Sequence, residues 1–217
     1  MTYKAIIFDF NGTLLWDTHL HNQAWDIFLE KHDFFLSDAE KNEIIHGKQN
    51  QFIFKELFNQ SLTDAEIQKY TLEKELIYQN LCLEEKLTLR PGVVEFLDLL
   101  KEKQITFTIA TSSGIENIRF FFDNYDLDRW FSIDSIVYNN GKIESKPSPD
   151  IFEAAMEKLG CAPEQAIVFE DSQTGIISAE AAKAGKVIIV NSIDDDYSHY
   201  GHDVITHFDQ FDISLVQ

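Results

Sequence analysis

The apolar run Ala5-Ile6-Ile7-Phe8 has the length and composition of a strand buried on both faces, yet the next comparable run begins only at Ile105. A single strand cannot satisfy its own backbone groups, so this one must pair with strands that follow a long intervening segment. That segment, from about residue 17 to residue 85, reads as helical throughout. Leu20, Ala24 and Phe28 mark one apolar face, and Ile53, Phe54, Leu57 and Phe58 another. Ser37-Asp38-Ala39-Glu40 and Thr63-Asp64-Ala65-Glu66 are capping boxes, the second flanked by Leu62 and Ile67 as a hydrophobic staple.

Beyond Arg90-Pro91-Gly92 the texture changes to alternating strand and helix. Strands are expected at Ile105–Thr111, Ile133–Val137, Ile167–Phe169 and Val187–Val190. Ser113-Gly114-Ile115-Glu116 predicts a capped helix. Ser148-Pro149 predicts a helix start with Pro at its first position, and Gly160 and Gly185 predict helix ends. Alternation of this kind builds a parallel sheet with helices on both faces. The expected fold is therefore α/β, with a Rossmann-like parallel sheet core from residues 1–15 and 87–217 and an α-helical cap domain, residues 16–86, inserted after the first strand.

Composition narrows the functional classes. The 217 residues carry 37 acidic against 18 basic side chains, a net charge of −19, which repels phosphate backbones and argues against nucleic acid as a partner. Cys82 and Cys161 stand far apart without metal-ligand spacing, as expected for thiols in a reducing compartment. No apolar run reaches the ~20 residues of a membrane span. The start, MTYKAIIFDFNG, is too short in its apolar part for a signal peptide. A soluble cytoplasmic protein is expected.

In open α/β sheets ligands bind beyond the carboxyl ends of the strands. Three such ends here carry polar side chains: Asp9-Phe10-Asn11-Gly12-Thr13, Thr111-Ser112-Ser113 and Glu170-Asp171-Ser172. Between the last two, a loop presents Ser145-Lys146-Pro147. Each has an ordinary explanation: a turn aspartate, a helix cap, a solvated lysine, the acidic first turn of a helix. Together they bring like charges to one sheet edge, and Asp9 beside Glu170 and Asp171 calls for a cation. All-oxygen ligation suits Mg²⁺.

In these motifs the chain resembles the haloacid-dehalogenase-like hydrolase superfamily, in the branch with a helical cap, and is most similar to its β-phosphoglucomutases and sugar-phosphate phosphatases. The resemblance rests on FDFNGTL, RPGVVEFLDLL, TIATSS, SKPSPDIFEAA and VFEDSQTGIISAEAAKAG. It implies that Asp9 is a nucleophile forming an aspartyl-phosphate, and that Thr111 and Lys146 hold the transferring phosphoryl group. It also implies that Mg²⁺ is bound by Asp9, Asp171 and the backbone carbonyl of Asn11, with Glu170 supporting or sharing the metal. Gly12 and Ser112 belong to the implied substrate site, as do His21, Gly47, Lys48 and Asn50 of the cap. The implied partner is a small phosphorylated metabolite, and a closing cap suits a monomer.

Two departures stand out. The family places an Asp two residues after the nucleophile to protonate the leaving group; here it is Asn11, whose amide cannot do so. That points to slow phosphatase chemistry, or to a binding or regulatory relative that has lost turnover. The Asn11-Gly12 pair is also a candidate for deamidation, which would restore the Asp. The cap Arg that grips a second phosphate in the mutase branch is missing, since His46-Gly47-Lys48 and Asn50 occupy that region, which counts against a mutase. Haloacid dehalogenases lack the Glu-Asp-Ser motif, and the cap lysine of phosphonoacetaldehyde hydrolase falls at Asn50, so both fit less well than a phosphatase.

Overall fold

The computed structural model describes residues 2–45, 50–58, 61–192 and 195–217, and the chain divides into two compact units: Met1–Trp16 with Thr88–Gln217, and Asp17–Leu87.

The first unit is built on a six-stranded parallel sheet. Its strands are β1 (Ala5–Phe8), β2 (Thr106–Thr111), β3 (Val137–Tyr138), β4 (Ala166–Glu170), β5 (Lys186–Val190) and β6 (Asp203–Ile205), in the spatial order β3-β2-β1-β4-β5-β6. The strand isolated in sequence thus lies between β2 and β4, with Phe8 in register with both Ile109 and Phe169. All four β1 residues are buried, which is why it reads as a continuous apolar run.

Side chains alternate across this sheet. Ile7, Ala110 and Val168 pack against Phe152, Ala155 and Met156 of helix α7 (Asp150–Leu159) and Ala179 of α8 (Gln173–Ala181). On the opposite face Phe8 and Phe169 lie 5.1 Å apart and meet Phe96 of α5 (Val93–Glu102) at 6.1 and 5.9 Å. Phe208 and Phe211 close this aromatic layer, at 5.6 and 5.1 Å from Phe169. Phe10 packs against Phe121 of α6 (Ile115–Asn124) with centroids 4.4 Å apart and the rings tilted by 31°.

The second unit contains α1 (Thr18–Lys31), α2 (Asp38–Ile44), α3 (Asn50–Phe58) and α4 (Asp64–Glu84), with no strand among its described residues. Both expected capping boxes form: Ser37 and Thr63 accept from the backbone N–H of Glu40 and Glu66, whose carboxylates accept from the cap backbone. Trp25, Phe28, Phe54 and Leu57 form its core, with Leu62, Ile67 and Tyr70 packed against them.

Several local expectations need correction. The third strand is short, Val137–Tyr138, because Ile133–Ser135 turns back on itself through the Ser135 N–H to Ser132 carbonyl bond. Strand β6 has no counterpart among the expected strands, because two of its three residues are exposed and it carries no apolar run. Helix α7 starts one residue later than expected, with Pro149 at the cap and Ser148 donating to the Asp150 carboxylate. Ser113 does not cap α6. Gly114 holds that position without a side-chain bond, and the Ser113 hydroxyl is used elsewhere.

Phe169 is fully buried and touches four other rings, so Phe169→Ala should cost about 3–5 kcal/mol in urea unfolding. Phe35 is 85% exposed, and Phe35→Ala should change stability by no more than about 0.5 kcal/mol.

Candidate active site

The parallel register places the ends of β1, β2 and β4 side by side, and each delivers one polar group. Asp9 follows β1 directly, and its N–H donates to the Phe169 carbonyl at 2.9 Å, which fixes it against β4. Thr111 closes β2 and Glu170 closes β4. The Lys146 ammonium lies 2.5 Å from Asp9 Oδ1 and 2.5 Å from Glu170 Oε1, and all three side chains are buried. Burial pulls the lysine pKa down, but the two carboxylates outweigh it and hold the ammonium above the usual lysine range.

Glu170 is satisfied on both oxygens. Its Oε2 accepts from the Ser172 N–H at 2.6 Å and the Ser172 hydroxyl at 3.0 Å. Ser172 Oγ in turn accepts from the Gly175 N–H at 3.1 Å as the N-cap of α8. A Cβ at Gly175 would stand 1.7 Å from Glu170 Oε1, so only glycine fits beneath this carboxylate.

Asp171 is positioned by three groups. Thr13 Oγ1 donates to its Oδ1 at 3.2 Å, and the Tyr197 hydroxyl donates to its backbone carbonyl at 2.6 Å. Burial first, then the Asp171 charge, holds the Tyr197 hydroxyl above the usual tyrosine range, so it remains a donor. Gly12 completes the set. It has φ +83°, and a Cβ there would lie 2.0 Å from Asp171 Oδ2.

Asp9, Glu170 and Asp171 offer ligand oxygens that all lie within 4.8 Å of one another. Three hard oxygen donors, offset by one ammonium, leave a net negative site of the kind that holds a divalent cation of the Mg²⁺ class. Three of the expected metal ligands, Asp9, Glu170 and Asp171, thus lie together, with Lys146 bonded to Asp9 and Glu170.

Asn11 sits over the end of β2. Its Oδ1 accepts from the Ser113 hydroxyl at 2.7 Å and lies 3.5 Å from Thr111 Oγ1, while the Ser113 N–H donates to Thr111 Oγ1 at 3.2 Å. The Gly12 N–H is engaged with the Leu15 carbonyl at 2.7 Å, which occupies the nitrogen that deamidation of Asn11 would need. Ser112 is exposed.

Arg90 is nearly fully buried against the Trp16 ring, at 4.2 Å from its centroid, and one of its nitrogens bonds the Thr206 carbonyl. Burial lowers its pKa to about 10, an effect that the Asp171 charge opposes.

The substrate residues expected in the helical segment fall in the second unit. His21 Nδ1 lies 3.1 Å from Lys74 Nζ and its Nε2 3.4 Å from Asp17 Oδ2, with the ring stacked on Tyr78 at 3.9 Å. Asn50 Nδ2 donates to Glu75 Oε1 at 3.1 Å, and Lys74 lies 3.3 Å from the same oxygen. The Tyr78 hydroxyl donates to the buried Asp17 carboxylate, and burial followed by that charge pushes its pKa well above the usual range. His21 and Asn50 thus stand at the half-buried margin of one polar network whose centre, Asp17, Lys74 and Tyr78, is buried. Gly47 and Lys48 lie outside the described residues, as does His46.

Tyr197 lies outside every motif of the sequence, while Thr13 and Ser113 stand within motifs that assign them no part in the site. Thr13 stands in the quoted FDFNGTL run and Ser113 in TIATSS, so their positions were visible and their partners were not. Tyr197 lies in a loop whose pattern carries no signal.

The Gly12 position generates a direct test. Gly12→Ala should keep the far-UV circular dichroism of the parent, lose most Mg²⁺-dependent thermal stabilisation, and lower any turnover at least ~10-fold, since a misplaced reacting group is costly.

Comparison with known proteins supplies the family. A β-phosphoglucomutase of Bacillus subtilis is 30% identical over 191 residues, covering 82% of this chain and 80% of its own. A phosphorylated carbohydrates phosphatase of Thermotoga maritima is 26% identical over 200 residues, covering 88% of each chain. Among solved structures, a haloacid dehalogenase-like hydrolase of family IA, variant 3, from Entamoeba histolytica superposes with a TM-score of 0.85 at 34% identity, covering 97% of this chain and 96% of that one. The family model for haloacid dehalogenase-like hydrolases matches residues 3–183. With the model spanning most of the chain and its motifs meeting at one sheet edge, the protein belongs to the haloacid dehalogenase-like hydrolase family.

Proposed function

We propose that this hydrolase cleaves the phosphate ester of a small phosphorylated metabolite of the sugar-phosphate class, through a phosphoryl group held covalently on Asp9. The observation that carries the reading is the Asp9 carboxylate at the end of the central strand, in contact with Lys146 and within ligand distance of Asp171. A carboxylate held between a cation and a metal-type carboxylate cluster is placed to attack an electrophile that itself bears negative charge.

In this reading an Asp9 oxygen forms the new bond to phosphorus as the ester oxygen leaves, and water then cleaves the aspartyl-phosphate. Lys146 and the Thr111 hydroxyl neutralise and orient the phosphoryl oxygens. Asp9, Asp171 and the Asn11 carbonyl are the residues proposed to hold Mg²⁺, which supplies charge neutralisation when bound. Both Glu170 oxygens are engaged by Lys146 and Ser172, which supports a role in holding the lysine more than in direct ligation. Ser112, Gly12, His21, Lys48, Gly47 and Asn50 are proposed to contribute to substrate recognition, with residues 16–86 acting as the cap. We place the working protein in the cytoplasm as a monomer; among the described residues no helix is long and apolar enough to cross a membrane. A mutase reading is disfavoured because positions 46–50, His-Gly-Lys-Gln-Asn, lack the arginine that would grip a second phosphate.

Two measurements test this. Asp9→Asn should abolish Mg²⁺-dependent release of phosphate from p-nitrophenyl phosphate while leaving the circular dichroism unchanged; retained turnover would exclude covalent catalysis by Asp9. Lys146→Met leaves two buried carboxylates without their counter-charge, so the metal-free variant should lose about 3–5 kcal/mol in urea unfolding. Mg²⁺ should restore part of that loss in the variant and stabilise the parent less.

A further inference from the structure

The reacting edge supplies charge and hydrogen bonds generously, but its supply of a transferable proton is another matter. Asn11 is two residues beyond Asp9, and its amide oxygen is the acceptor for the Ser113 hydroxyl at 2.7 Å, with Thr111 Oγ1 at 3.5 Å. An amide neither gives nor takes a proton near neutral pH, and serine and threonine hydroxyls ionise far above it. The side chains gathered around the Asn11 amide therefore orient a phosphoryl group without protonating what leaves it.

The consequence differs between substrates. An alkyl phosphate expels an alkoxide, about as basic as hydroxide, and needs a proton in the transition state. An acyl phosphate expels a carboxylate whose conjugate acid has a pKa of about 4, and needs none. The product on Asp9 is itself an acyl phosphate, so transfer from an acyl phosphate exchanges one mixed anhydride for another at little cost in free energy. Cleavage of the aspartyl-phosphate by water then requires removal of a proton from that water, for which the same amide offers no base.

Resting on the reading of Asp9 as nucleophile, we propose that the preferred phosphoryl donors of this site are acyl phosphates, and that the aspartyl-phosphate formed on Asp9 accumulates instead of turning over rapidly. In the first step an Asp9 oxygen lone pair forms the bond to phosphorus, the bond from phosphorus to the acyl oxygen breaks, and the electron pair leaves with the carboxylate; no proton moves. In the second step water adds to phosphorus, its proton passes to solvent, and the Asp9 carboxylate departs.

The test follows the covalent label directly. The full chain, Asn11→Asp and Asp9→Asn are each incubated with Mg²⁺ and acetyl phosphate, p-nitrophenyl phosphate or glucose 6-phosphate. Intact mass reports phosphoryl capture, and released phosphate reports turnover. Peptide mapping across residues 5–20 verifies that position 11 of the sample is Asn. The expected result is a phosphoryl increment on the parent from acetyl phosphate that persists after donor removal, with neither label nor turnover from glucose 6-phosphate over the same time. Asn11→Asp should gain turnover of glucose 6-phosphate by ~10²–10⁴-fold and lose its label correspondingly faster, while its rate of labelling by p-nitrophenyl phosphate changes less. The proposal is overturned if the parent hydrolyses glucose 6-phosphate as fast as acetyl phosphate or as fast as Asn11→Asp does. It is overturned equally if acetyl phosphate leaves no label on a parent whose Asn11→Asp variant is active. Both of those outcomes spare Asp9 as nucleophile. Labelling of Asp9→Asn, or silence of both the parent and Asn11→Asp toward every donor, would instead remove that underlying reading.

Discussion

The Lys146 ammonium, held between Asp9 and Glu170, is the interaction on which the site depends. It ties together three segments distant in sequence, and all three side chains are buried. Three carboxylates with oxygens inside 4.8 Å would repel one another strongly in a low-dielectric edge. One fixed cation among them lowers that repulsion while leaving the cluster net negative. A net-negative remainder is the property a cation-binding, phosphate-handling site needs.

Glycine makes the crowding possible. Gly12 and Gly175 lie beneath Asp171 and Glu170, at distances where any side chain would collide with the carboxylate oxygens. Two short polar residues then fix the rotamers: Ser172 binds Glu170 while capping α8, and Thr13 binds Asp171. The same local features that begin a helix or turn a chain thus also aim the functional groups. That economy explains why the motifs are short and tightly spaced.

The helical unit carries a different kind of burial. Its aromatic core around Phe28 and Phe54 is conventional, but Lys74 and Asp17 are almost fully enclosed and joined through His21, Tyr78 and Glu75. Lys74 also lies over the Trp25 and Tyr78 rings, at 5.3 and 5.5 Å. Such networks are costly unless every member is satisfied, and they fix one arrangement of the helices that present them. The recognition role proposed for His21 and Asn50 is therefore a role for positioned groups.

Much of the fold was legible in the sequence because it rests on local rules. Apolar runs marked β1, β2, β4 and β5, and Ser37 and Thr63 announced their helices through side chains that bond within four residues. The order of Asp9, Thr111 and Asp171 at strand ends, with Lys146 in a loop between the last two, was equally readable, because a parallel sheet gathers its carboxyl ends on one edge. What the sequence could not express is pairing between remote groups. Ser113 looks like a helix cap until β1 and β2 are adjacent, and then its hydroxyl goes to Asn11. Tyr197 has no pattern around it, yet it holds the Asp171 carbonyl. The sequence by itself determined which chemical groups exist and which strand ends carry them. Only the tertiary structure decided which of them share a hydrogen bond, because that choice depends on distances of a few ångströms between segments more than a hundred residues apart.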